Sequence, residues 1–251
     1  MVTATCSAAG RRGATSCAAA RVARFLGGAA FAALLLAGSA RAADPWEAWP
    51  EANLYRSLGP TTRLYLVSAF ATAGKEATSR TLDAAGYLDL TLKPILMPAL
   101  QKEDWRRKRY LWARVGYDHV FKGESGNPVT PENRGIVALH ARAYLPAGVV
   151  FEGRARADLR WIGGDYSTRY RLRIEVNREF SVRDRAVTPY FQAETFYDTR
   201  YDGWARQLYQ VGAEVQVTEH FRVEPYLARQ LDDLPADSGL YAVGLVARWY
   251  Y

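Results

Sequence analysis

From Phe151 to Val176 polar and apolar residues alternate with a period of two, and the polar set is charged. Glu152, Arg154, Arg156, Asp158 and Arg160 fall on one side, and Phe151, Gly153, Ala155, Ala157, Leu159 and Trp161 on the other. Beyond a loop at Ile162 to Ser167 the pattern restarts, with Arg169, Arg171, Arg173, Glu175 and Asn177 opposite Tyr170, Leu172, Ile174 and Val176. A period of two requires β-strand, because successive side chains leave opposite faces of the pleat. Strands of about ten residues are long for a globular sheet and suit a tilted crossing of a bilayer. The alternation therefore predicts a membrane-spanning β-barrel.

The N-terminus predicts export. Arg21 and Arg24 precede an apolar run from Phe25 to Gly38, which leads into Ala40-Arg41-Ala42. A basic start, a short apolar stretch and an A-x-A site make a secretory signal peptide, here residues 1–42. The run is shorter than the roughly 20 residues of a spanning helix. The leader holds five of the 33 basic residues and none of the 26 acids, so the formal charge of +7 belongs mostly to it. Basicity is therefore no argument for nucleic acid as a partner. Both cysteines, Cys6 and Cys17, lie in the leader, so residues 43–251 hold no thiol or disulfide chemistry.

Ten strands are expected after an N-terminal stretch from Asp44 to Pro60, with twelve as the alternative, since outer-membrane barrels favour even counts. They fall at Thr62–Ala71, Ala84–Leu92, Arg109–Phe121, Arg134–Leu145, Val149–Trp161, Thr168–Phe180, Thr188–Asp198, Gln207–Val217, Phe221–Gln230 and Gly239–Tyr251. Pro94 to Lys108 is the least regular connection and leaves room for a short helix. Gly74 to Thr81, Lys122 to Asn133, Ile162 to Ser167, Thr199 to Arg206 and Leu231 to Ser238 read as longer polar loops. Leu145-Pro146-Ala147-Gly148 and Thr218-Glu219-His220 read as tight turns.

The apolar face is expected to meet lipid. It is rich in small residues (Gly153, Ala155, Ala157, Ala141, Ala143, Ala193, Ala213) that would fill a soluble core poorly. Aromatics gather near strand ends, as interfacial girdles do: Phe151, Trp161, Tyr170, Tyr209, Tyr241, Trp249 and Tyr251. The amphipathic last strand, closing on Tyr251, resembles the signal read by the barrel-assembly machinery. Location in the bacterial outer membrane, with its lipid as partner, follows as an expectation. A soluble, lipocalin-like periplasmic binder is the alternative.

Arg169-Tyr170-Arg171-Leu172-Arg173, the run Pro189 to Asp198, Val223-Glu224-Pro225-Tyr226, Gly244-Leu245 and Arg114-Val115-Gly116-Tyr117 together resemble a bacterial family catalogued as a domain of unknown function and taken to be outer-membrane barrels. The resemblance implies fold and location. It brings no catalytic residues.

The candidate site is the charged inner face: Glu152, Arg154, Arg156, Asp158, Arg160, Arg169, Arg171, Arg173, Glu175, Glu194, Glu214, Arg222 and Glu224. Two readings stand. It is an anion-preferring strip in a pore, or a lumen filled by arginine–carboxylate pairs that satisfy one another. The second is preferred, because a barrel of this size is only slightly wider than those that side chains fill. The expected role is structural, or a narrow and largely filled pore. No cofactor or metal is expected, since His119, His140 and His220 lack ligand spacing. No catalytic assignment is made; the alternative, a membrane-embedded lipid hydrolase, would need a serine such as Ser68 beside His119 on the outer face.

Overall fold

The structure is a computed structural model that describes residues 45–73, 79–96, 99, 105–124, 127–234 and 238–251. The expected signal peptide lies outside them. The described chain is a succession of strands: β1 (Trp46–Ser57), β2 (Thr62–Ala73), β3 (Ser79–Leu92), β4 (Leu111–Glu124), β5 (Asn127–Tyr144), β6 (Val149–Ile162), β7 (Asp165–Arg178), β8 (Phe180–Val182), β9 (Arg185–Asp198), β10 (Gly203–Gln216), β11 (Phe221–Asp232) and β12 (Ser238–Tyr250). A single helical turn, α1 (Trp105–Lys108), sits in the irregular connection before β4, as the sequence allows.

Among the described residues, eleven of these strands close into a ring. Neighbours pair antiparallel everywhere but at one seam; β7 pairs with β9, and β12 returns to β1. The short β8 pairs with β9 alone and extends the line of β7 past a bend. The count, eleven staves and twelve strands with β8, corrects the expectation of ten and lies beside the alternative of twelve. The extra one is β1, within the segment read as an N-terminal stretch. Its outward set includes Pro50 and Arg56 and its inward set Trp49 and Tyr55, so hydrophobic alternation is blurred. Pro50 has no N–H to donate, and the ladder to β2 lapses at Trp49 and Pro50 before resuming at Glu51↔Ala69.

An odd ring cannot be antiparallel throughout. Each hairpin reverses direction, so the eleventh stave runs the same way as the first. β1 and β12 are parallel accordingly, from Trp46↔Tyr241 to Tyr55↔Tyr250. The chain thus enters the wall at one rim and leaves it at the other. At the N-terminal rim β2 ends and β3 begins, and likewise β4 and β5, β6 and β7, β9 and β10, and β11 and β12. At the C-terminal rim β1 ends and β2 begins, and likewise β3 and β4, β5 and β6, β8 and β9, and β10 and β11.

The expected contrast between long and tight connections is replaced by a contrast in strand reach. Lys122 to Asn133, read as a loop, is mostly hairpin, because β4 and β5 run on to Glu124 and Asn127. Ile162 to Ser167 shrinks to the pair Gly163-Gly164, both at positive φ. That two-residue turn with left-handed backbone matches the twist of the strands it joins.

Side chains sort by parity. A row of tyrosines crosses the parallel seam inside the barrel, Tyr250–Tyr55–Tyr65–Tyr87, with ring centres 4.9, 4.4 and 5.2 Å apart. Across the lumen wall Tyr226 lies between Gly212 and Gly244 in one row. A Cβ on Gly244 would fall 1.9 Å from Tyr226 Cζ, and one on Gly212 2.7 Å from Tyr226 Cβ. The glycines are the floor on which that ring lies.

Outward, the described strands present no carboxylate, and their arginines stand at strand ends (Arg56, Arg80, Arg178, Arg185) apart from Arg229. The Arg229 guanidinium lies 4.2 Å from the centre of the Tyr241 ring, which itself stacks on Trp46 at 5.1 Å. Gly244→Ala should lower the unfolding free energy by about 1–3 kcal/mol through overpacking. Adding Tyr226→Ala should recover part of that loss, a non-additivity readable from denaturant midpoints of the two singles and the double.

Candidate functional site

Strand parity turns all thirteen expected residues inward, because β6 offers its even positions, β7 its odd ones, and β9, β10 and β11 their even ones. Glu194 accepts from Arg154 at 2.5 Å and from Arg171 Nε and Nη2 at 2.9 Å each. Asp158, fully buried, pairs with Arg156, with Arg169 at 3.3 Å and with Arg171 at 3.7 Å. Glu152 accepts from Arg142 at 2.6 Å and faces Arg173 at 3.5 Å. Glu214 joins Arg222 at 2.5 Å and Arg248 at 2.8 Å, and Glu224 binds Arg248 and the Tyr190 hydroxyl. Glu175 accepts from Asn177 at 2.8 Å. Arg160 spans from Glu132 to Asp198, both at 2.5 Å.

Several partners fall outside the expected set. Asp89 holds Arg63 and Arg114, each at 2.6 Å. Glu132, fully buried, also takes Arg134 at 2.7 Å and Lys122 at 2.9 Å, and Arg134 continues to Asp118 at 3.1 Å. Their signal was the same inward parity on β3 to β5, where single charges are spaced among tyrosines and small residues rather than in an unbroken arginine ladder. Outside the strands, half-buried Arg109 donates to Thr91 Oγ1 at 3.3 Å. Burial, and then the neighbouring Arg63, hold its pKa down to about 10.

The network divides the lumen. A chamber of about 830 Å³ reaches the C-terminal rim, where Gly148 and Glu179 line it. Toward the N-terminal rim its lining ends at Ala69, Asp83, Asp118 and Arg134, where a smaller cavity lined in part by Trp49, Ala71 and Thr81 adjoins it. Beyond that level the Arg160–Glu132–Asp198 bridge ties β6 to β5 and β9.

The histidines separate by face. His140 is buried inside, stacked on Trp112 at 4.5 Å with Nδ1 3.4 Å from Glu152. His119 faces outward, and its Nδ1 lies 2.6 Å from Asn133 Oδ1. Ser68 also faces outward and shares that row, since Ser68 pairs with Ala84 and Ala84 with His119. One strand stands between serine and histidine. His220 lies in the turn before β11, stacked on Tyr251 at 5.9 Å. Among the described residues no group of three or more His, Cys, Asp or Glu is arranged to hold a metal ion.

A closed β-barrel with a charged, ion-paired interior is the class these observations define. A model for the protein family of unknown function DUF2490 matches residues 104–240, more than half of the chain, and the chain belongs to that family. No curated protein matches the chain.

Loss of one partner of a buried pair typically costs roughly 3–5 kcal/mol, because a charge is left unanswered. Glu194→Ala should therefore cost several kcal/mol, while exposed Glu219→Ala stays within about 0.5 kcal/mol. Unfolding midpoints of the two variants in one detergent check this; equal midpoints would mean that Glu194 is solvated.

Proposed function

We propose that the chain is an outer-membrane β-barrel whose lumen is largely filled, with a structural or narrow-conduit role rather than that of an open porin. The carrying observation is the inversion of polarity: charge inside, and an outer face without carboxylates. A soluble binding barrel would present the reverse. Aromatics band that face at both ends, Trp46, Trp161, Tyr197, Trp204 and Tyr241 towards the N-terminal rim and Phe151, Phe221, Trp249 and Tyr251 towards the other. On β12 the stretch from Tyr241 to Trp249 is about 27 Å long at roughly 3.4 Å per residue. At the usual tilt of about 35–45° its height is about 19–22 Å, somewhat under the apolar band of such barrels, about 25 Å. Closure leaves no sheet edge to meet lipid.

The C-terminal rim, where Tyr251 ends, is assigned to the periplasm, with β12 as the contact for the assembly machinery. The cysteine-free mature chain suits a direct test. A cysteine at Thr199 should take a membrane-impermeant maleimide on intact cells, and one at Glu219 only after lysis. Planar bilayers should show no steps on the scale of a sixteen-stranded porin. Either porin-sized steps or a mature chain soluble without detergent would sink the reading.

A second reading has its own observation. Ser68, His119 and Asn133 stand in one outward row near the aromatic band, and the His119 Nδ1 contact to Asn133 leaves Nε2 on the ring's far edge, as a nucleophile-activating base requires. Two strand spacings put the Ser68 and His119 backbones about 9.6 Å apart, so the dyad closes only with both side chains turned together. Fatty-acid release from phospholipid micelles that disappears in both Ser68→Ala and His119→Ala would establish this site. No release from the folded wild type would end it.

A further inference from the structure

The lumen wall from β2 to β9 is short of acids. Four carboxylates, Asp89, Glu152, Asp158 and Glu194, are shared among eight arginines: Arg63, Arg114, Arg142, Arg154, Arg156, Arg169, Arg171 and Arg173. Counting Glu175, beside Arg173 on the same strand face, and Asp83, which stands 3.7 Å from an Arg134 already paired with Asp118, leaves two cations in surplus. Of the acids elsewhere in the lumen, Glu51 accepts from Asn53, and five more have cations of their own. Glu132, Asp118 and Asp198 serve Lys122, Arg134 and Arg160, and Glu214 and Glu224 serve Arg222 and Arg248. Like charges crowded in a poorly screened interior repel at a cost that rises as the effective dielectric falls.

The surplus coincides with unmet hydrogen bonding. Trp112, His140, Arg154 and Arg173 form one row across β4, β5, β6 and β7, each paired in register with the next. Trp112 Nε1, His140 Nε2, Arg154 Nε and Arg173 Nε are all buried and lack a hydrogen-bond partner. All four residues line the chamber. Buried polar atoms are ordinarily satisfied, so four orphans in one row need an occupant. Three of them are N–H donors, and His140, whose Nδ1 faces Glu152, offers Nε2 to a hydroxyl.

We propose that this row is a binding site for a phosphate group on a small soluble molecule that enters at the C-terminal rim. The inference rests on the filled-barrel reading and names what the remaining space is for. Phosphate oxygens accept from arginine forks and from an indole N–H, and the charge they bring offsets the surplus. The chamber, at about 830 Å³, lies within the roughly 300–1,000 Å³ of small-molecule sites.

The test uses the folded barrel in a detergent without phosphate. Sodium phosphate is titrated against sodium chloride at equal ionic strength, with calorimetry and the thermal midpoint as readouts. Saturable phosphate binding and a midpoint that rises with phosphate, but not with chloride, are expected. Arg154→Gln, Arg173→Gln and Trp112→Phe should each weaken binding at least tenfold. In the absence of phosphate the two arginine variants should melt no lower than wild type, because each removes a surplus cation. A merely structural arginine would melt lower and leave phosphate binding unchanged, which would overturn the site. So would equal responses to chloride and phosphate, or a response to phosphatidic acid in the micelle but not to inorganic phosphate. A barrel that does not conduct and binds no phosphate ends this inference alone, whereas porin-sized conductance ends the filled-barrel reading whatever the titration gives.

Discussion

Everything in the wall depends on the parallel pairing of β1 with β12. Without it both strands would be edges with unpaired N–H and C=O groups, a state intolerable in hydrocarbon and adhesive in water. The seam joins residues almost 200 positions apart, so it closes against the largest loop entropy in the molecule. The tyrosine row that crosses it, with Arg63 over Tyr55 and Arg114 over Tyr65, gives that junction packing beyond the ladder itself.

Closure in turn forces the interior. Eleven staves enclose more space than apolar side chains filled, and long arginines reach across it. Asp89, Glu132, Glu152, Asp158 and Glu194 are each held by at least two guanidiniums, so no one pair defines the packing and the lattice couples β2 through β9. Such coupling makes the cost of losing an acid collective, and it leaves the chamber as the part of the lumen the lattice does not occupy.

The sequence was most legible where its period was cleanest. From β6 to β12 the expected strands lie within the observed ones or a few residues from them, and every expected lumen residue faces inward. The same rule failed on β1, where Pro50, Trp49 and Arg56 disturb the apolar set although the backbone still alternates. It also failed at strand ends near the N-terminal rim, where polar hairpin extensions such as those of β4 and β5 have the composition of loops. Cross-strand relations stayed invisible: that Ser68 shares a row with His119, or that Asp89 answers Arg63 and Arg114, depends on register between distant strands. The surplus of arginines was visible as a ladder on β6 and β7, but its missing acids could be counted only once β2 to β5 were brought alongside.

The opposite placement of the start of β1 and the end of β12 has a further consequence. In a barrel with an even number of staves, a short loop can join the ends, and the wall can be cut at another hairpin to give a circular permutant. Here a joining segment would have to climb the full wall, about a dozen residues in extended form. The only ladder open to such a segment lies between β12 and β1, running antiparallel to both. The protein is thus one strand short of a cyclic chain, and inserting that strand would turn its single parallel seam into two antiparallel ones.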